Sequence, residues 1–246
     1  MGRFRYRCRR AEILINPGLA LDYDRYQSHA YATFVEEQLT MLRKACPRHF
    51  VTTNNVGLPL DTIDLRSLYR NLDFVAFDNY PGFFEMLLSQ QGKTGSLIAD
   101  VVPRAVALGH DFTRSLKGGK PFMIMEEQTG KAGQPTFSPQ PEKGQVRLWT
   151  HQAVAHGAMG VNYFRWDTAT FGAEEYWQGM LNHDRSKSPA FDEIRQTIKE
   201  LRALGPELLN SQYAAEMALL FDYDCSWALK IQPGHHALSY LDQFTS

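Results

Sequence analysis

Four apolar runs in this chain end alike. HFVTTNN closes on Asn54 and Asn55, LDFVAFDNYP on Asp78, Asn79 and Tyr80, PFMIMEEQ on Glu126 and Glu127, and GVNYFRWD on Trp166 and Asp167. Each run is short and rich in β-branched or aromatic residues, which predicts a strand. Long segments of helical spacing lie between them. Strands that alternate with helices predict parallel βα units. The runs are apolar on both faces, as suits a parallel sheet covered by helices. In barrels and in open sheets of this kind the ligand site lies at the C-terminal ends of the strands. Four polar strand ends therefore predict a single binding rim.

The helical segments are equally legible. NPGLALDYDRYQSHAYATFVEEQLTMLRKACP reads as a turn and then a long helix, with apolar positions at Tyr26, Tyr31, Phe34, Val35, Leu39 and Leu42 and a stop at Pro47. DTIDLRSLYRNL predicts a brief helix, and Pro81-Gly82 a break. GSLIADVVPRAVALGHDFTRSLKGG predicts a helix interrupted near Pro103 and closed by Gly118-Gly119. QVRLWTHQAVAHGAMG predicts another. SPAFDEIRQTIKELRALG predicts an amphipathic helix ended by Gly205-Pro206, and AAEMALLFDYDCSWAL begins a fifth strand-like run.

Charge excludes some partners. Lys plus Arg number 26 against 27 Asp plus Glu, so nothing in the balance argues for nucleic acid or membrane. The exception is MGRFRYRCRR, with five Arg and no acid, which reads as a disordered start rather than a nucleic-acid arm. It lacks the apolar core of a signal peptide. No run of 18 apolar residues is present. Cys8, Cys46 and Cys225 are widely spaced and odd in number, which fits free thiols in a reducing, cytoplasmic setting and indicates neither a disulfide framework nor a zinc site. Aromatic residues make up 12% of the chain, which suits a filled core or the flat faces of sugars.

The adjacent carboxylates pose the sharpest question. Strict alternation along PFMIMEEQ puts Phe122, Ile124 and Glu126 on one face and Met123, Met125 and Glu127 on the other. Both faces are apolar, so periodicity does not choose between the acids. A carboxylate held there costs several kcal/mol unless paired or hydrogen-bonded, roughly the penalty for any unpaired buried charge.

The words NPGLALDYDRY, VTTN, DFVAFDNYP, TRSLKGGKPFMIMEEQTG, RLWTHQAVAHGAMGVNYFRWD, FGAEEYWQGMLNHD and PELLNSQYAAEMALLFDYDCSWAL, in this order, resemble glycoside hydrolase family 42, the retaining β-galactosidases. The resemblance runs over about residues 15–230. It implies an α/β fold: part of a (β/α)8 TIM barrel, about strands five to eight, over residues 13–210, after a basic start at 1–12. Residues 211–246 would open a flavodoxin-like domain of the kind relatives use to form homotrimers. The implied chemistry is double displacement on terminal β-D-galactosides or oligosaccharides. Glu126 matches the nucleophile. Tyr80, Phe164, Glu174 and Trp177 match sugar contacts, with Trp177 at a position held by His in some relatives and offering an N–H donor. Gln134 stands about where many members place a Trp. Glu127 stands where Gln is common and is expected to face away, because two charges in one cleft raise a pKa and weaken a nucleophile. No metal and no cofactor is implied within these residues.

The family acid/base is the Glu of an Asn-Glu pair, and this sequence contains no Asn-Glu dipeptide. The resemblance therefore implies a fragment that is inactive alone and active when a missing N-terminal half complements it. The alternatives are a non-catalytic carbohydrate-binding or assembly remnant, and an unrelated βα enzyme with similar strand ends.

Overall fold

The computed structural model describes residues 16–57, 62–90, 92, 95–133, 136–209, 211–234 and 240. The basic start at 1–12 and Gln134 lie outside these. The chain divides into two units: one of Met1–Val51, Pro59–Asp73 and Met217–Ser246, the other of Thr52–Leu58 and Phe74–Glu216.

In the first unit, helix α1 spans Pro17–Ala45. Asn16 caps it by accepting the Leu19 N–H at 3.1 Å, so the expected turn is the cap itself, followed by Pro at the first helical position. Of the six apolar positions foreseen on α1, only Leu39 is buried, while Tyr26, Tyr31, Phe34 and Leu42 are exposed. The brief helix α2 is Leu65–Leu68, capped by Asp64. Its neighbours Tyr69 and Leu72 fill the core of this unit with Leu65, Leu68 and Trp227. The fifth strand does not form. Residues 211–222 contain no strand, and Met217 and Leu220 are almost fully exposed. An apolar run becomes a strand only beside a partner that takes its hydrogen bonds. Asp222 instead accepts the Cys225 N–H at 2.7 Å and starts a helix, Tyr223–Ile231. That helix is joined to α1 by Arg25, which donates to both Asp224 oxygens at 3.0 and 2.6 Å.

The second unit holds a parallel sheet of three strands, β1 Ala76–Asn79, β2 Phe122–Gln128 and β3 Ala158–Phe164, in that order. Pro81-Gly82 does not break the chain; it begins helix α3, Pro81–Gln90. Proline's fixed φ suits a first turn, and the Gly82 N–H there donates to Gln128 Oε1 at 2.9 Å. Helix α4, Ser96–Ser115, runs through Pro103 without interruption. Helix α5 is Gln145–Ala155 and α6 is Pro189–Leu209, which continues past Gly205-Pro206 into a last turn. Pro206 gives up one bond of the last turn, the one its N–H would have made to the Arg202 carbonyl, and the helix ends three residues later. Val146 and Trp149 of α5 meet Ala190 and Ile194 of α6 in the core, with Tyr163 against them.

HFVTTNN is not a strand. Asn55 brackets β1, its N–H donating to Ala76 O at 3.2 Å and its carbonyl accepting from Asp78 N–H at 2.8 Å. Asp73 N–H also donates to Val51 O at 3.0 Å, and side chains add further bonds: Thr52 Oγ1 donates to Phe74 O at 2.7 Å and Asn55 Nδ2 to Ala76 O at 2.9 Å.

Alternation along β2 breaks where it matters most. Phe77 pairs with Ile124, Asp78 with Glu126 and Asn79 with Glu127, so Met125 has no partner on β1. The same irregularity separates Ile124 and Glu127 in the pairing with β3. One extra residue in a strand reverses the facing of everything after it. Glu127 thus joins Phe122 and Ile124 on the buried face, and Glu126 joins Met123 on the half-exposed one. The strict alternation expected from sequence is corrected by this bulge.

Candidate active site

Glu126 and Tyr80 leave neighbouring strand ends on the same side of the sheet. The Tyr80 hydroxyl donates to Glu126 Oε2 at 2.7 Å. Burial and this bond to a carboxylate push the Tyr80 phenol far above its ordinary value, so it stays a donor at any ordinary pH. Phe164, the last residue of β3, and Trp177 complete a ring cluster. Centroids stand 6.3 Å apart for Tyr80 and Phe164, 5.8 Å for Tyr80 and Trp177, and 5.9 Å for Phe164 and Trp177, all edge to face. Edge-to-face packing fixes ring planes. The peptide joining Phe164 to Arg165 is cis.

The indole N–H foreseen as a donor at Trp177 is already used, since it donates to Gly133 O at 3.1 Å. Gly133 has φ +116, and a Cβ there would lie 2.6 Å from Thr136 O, so the turn that presents this carbonyl requires glycine. Trp177 therefore offers ring surface. Glu174 is exposed, and Arg165 holds it: Nη2 donates to its carbonyl at 2.6 Å and Nη1 stands 3.6 Å from its carboxylate. Glu174 also adds to the negative surroundings of Tyr80. The five residues singled out in the sequence thus gather at one end of the sheet. Two surface hollows of about 540 and 240 Å³ adjoin Lys131 and Gln140, and neither is lined by Glu126 or Tyr80.

Glu127 is fully buried on the other face, as a Glu facing away would be. Asn79 Nδ2 donates to both of its oxygens at 3.1 Å, while burial pushes its carboxyl up to about 8. Glu127 is therefore neutral near pH 7, which removes the conflict that two adjacent charges would create.

Sequence reasoning noted Asp78 and Asn54 at strand ends and gave neither a role. Asp78 stands opposite Glu126 in the β1–β2 register, and Asn54 Nδ2 donates to its Oδ2 at 2.6 Å. Burial first and the Glu126 charge second push Asp78 up to about 7, against the Asn54 bond. Arg165 was also missed as the clamp on Glu174. Only the pairing register brings these side chains together, and register is invisible in one sequence. Among the described residues no group of three His, Cys, Asp or Glu is placed to hold a metal.

The glycoside hydrolase family 42 model, described as Beta-galactosidase, matches residues 8–204. The chain belongs to glycoside hydrolase family 42. The β-galactosidase BgaA of Thermus sp is 36% identical over 227 residues, covering 92% of this chain and 34% of its own length. BgaH of Haloferax lucentense is 35% identical over 219 residues, covering 89% of this chain and 32% of its own. Among solved structures, the β-galactosidase of psychrophilic Marinomonas ef1 superposes with a TM-score of 0.81 at 33% identity, covering 92% of this chain and 36% of that one. The Halorubrum lacusprofundi enzyme gives 0.77 at 32% identity, covering 92% and 33%. This family 42 chain thus spans about a third of the length of the curated relatives it matches. Its α/β fold matches theirs, and no helix of the described residues is long and apolar enough to cross a membrane.

Proposed function

We propose that these residues form the nucleophile side of a retaining β-galactosidase, built on the later strands of a TIM barrel and acting on terminal β-D-galactosides. One Glu126 oxygen attacks the anomeric carbon as the bond to the leaving oxygen breaks. The electron pair departs with the leaving group, and a general acid supplies it a proton. Water then cleaves the glycosyl ester. Such chemistry pairs two carboxyls about 5–5.5 Å apart. The second carboxyl matches no residue of this sequence. Complementation by another half and homotrimeric assembly belong to the proposal.

The observation that carries it is the 2.7 Å bond from Tyr80 to Glu126 beside the Tyr80–Phe164–Trp177 rings. A hydroxyl that cannot ionise holds one carboxylate oxygen and leaves the other for attack. The rings offer apolar surface to the C–H face of a sugar. Glu174, held by Arg165, can accept from sugar hydroxyls.

Loss of the acid typically costs about 10²–10⁴-fold in rate. The test therefore uses 2,4-dinitrophenyl 2-deoxy-2-fluoro-β-D-galactoside, whose phenolate leaves without a proton. The expected result is one fluorosugar per chain, mapped by mass spectrometry to the peptide containing Glu126 and absent in Glu126→Gln. Equal labelling of both proteins, or none of the wild type, would overturn the assignment.

A further inference from the structure

Asp78 and Glu126 are register partners on adjacent parallel strands, and the bulge at Met125 turns Glu126 onto the face that carries Asp78. Parallel partners stand one strand spacing apart, so two carboxyls are held side by side. Each has one neutral donor: Asn54 Nδ2 reaches Asp78 Oδ2 at 2.6 Å, and the Tyr80 hydroxyl reaches Glu126 Oε2 at 2.7 Å. Neither carboxyl forms an ion pair with Lys, Arg or His among the described residues. The remaining oxygen of Asp78, Oδ1, is buried and has no hydrogen-bond partner among the described residues. A bare anionic oxygen in that position is costly, whereas a protonated one is tolerated.

We propose that Asp78 is the proton-holding partner of Glu126: a positioning residue that stays neutral while Glu126 is charged, and whose ionisation changes the ease with which Glu126 accepts a glycosyl group. The second half of this statement rests on the proposed role of Glu126. The groups that face Asp78 are Glu126 from β2, Tyr80 from the turn into α3, and Asn54 from the segment beside β1. Glu127 lies on the opposite face. The upward shift of Asp78 to about 7 agrees with this division of charge.

The consequence has a definite sign. Attack discharges Glu126 and places transient positive charge on the sugar. An ionised Asp78 destabilises the Glu126 anion before attack and stabilises that positive charge during it. Both effects speed the step. The labelling rate should therefore rise as pH passes through about 7. A gain on the order of tenfold corresponds to one pH unit of coupling.

The experiment has two arms on the full chain. In the first, side-chain carboxyl carbons are titrated by NMR, with the Asp78 signal assigned by its loss in Asp78→Asn. The expected midpoint lies near neutral in wild type and drops in Glu126→Gln, where the neighbouring charge is gone. A midpoint in the ordinary carboxylate range, or one indifferent to Glu126→Gln, overturns the pairing. In the second, labelling by the fluorosugar is followed against pH. The neutral step should be present in wild type and absent in Asp78→Asn, and identical profiles overturn the effect on Glu126. If wild type takes no label, the role of Glu126 fails, while the titration still decides the pair.

Discussion

The two faces of β2 treat their glutamates in opposite ways. On the covered face, Phe77, Phe122 and Ile124 are buried, and His110 stacks on Phe122 at 5.8 Å. Burial pushes His110 down to about 3 and Glu127 up to about 8, so both are neutral at pH 7. On the other face Met123 and Met125 are only half-buried, and Glu126 keeps contact with solvent beside a tyrosine donor. Six residues of one strand, Phe122 to Glu127, thus carry one carboxyl as structure and its neighbour as a candidate for chemistry. The environment decides the difference, and a single unpaired residue decides the environment.

The largest effect that tests this contrast is on stability. Phe122→Ala empties a fully buried site on the covered face and should cost about 3–5 kcal/mol, whereas Met123→Ala on the half-exposed face should cost well under half of that. Denaturant midpoints measure both. Comparable losses would mean that the two faces are equally packed, and the contrast would fail.

Much of this was legible before any coordinates. Strand and helix alternation predicted the parallel βα order, and β1, β2, β3, α1, α4, α5 and α6 fall where the patterns placed them. The gathering of Tyr80, Glu126, Phe164, Glu174 and Trp177 came from the family resemblance, since no spacing rule joins residues so far apart. What was not legible depended on partners. HFVTTNN and AAEMALLF have strand composition, but a strand is a property of a pair. Pro81 and Pro206 were read as breaks because proline removes an N–H, yet Pro81 stands in a first turn where that N–H has no intrahelical partner, and Pro206 gives up one bond just before its helix ends. The facing of Glu126 and Glu127 could not be read because a bulge leaves no mark in one sequence, and strict alternation gave them the wrong companions.

A middle-sized effect separates the adjacent glutamates by pH. Glu127 binds its proton up to about pH 8 when folded and only up to about 4.5 when unfolded. Between those values the folded chain holds more protons, so stability is full below pH 4.5 and falls as pH rises through 8. Glu127→Gln removes that slope and retains a carbonyl to accept from Asn79. Melting curves should show the variant gaining on wild type as pH rises between those two values, by an amount on the order of a few kcal/mol, since each pH unit between the folded and unfolded pKa is worth about 1.4 kcal/mol. A difference that does not vary with pH would place the charge elsewhere.

The smallest stability effect should come from Tyr80→Phe, and it is the most discriminating. The substitution deletes the 2.7 Å bond to Glu126 and keeps the ring between Phe164 and Trp177. Glu126 is only half-buried, so water can replace the lost donor, and the cost should stay below about 1 kcal/mol. Labelling at Glu126 should nevertheless slow on the order of ten- to a hundredfold, because the attacking oxygen is no longer held in line with the sugar. A structural role for Tyr80 predicts the reverse, with lost stability and unchanged labelling. The two readouts therefore tell whether this end of the sheet is arranged for packing, like the face behind it, or for placing one oxygen.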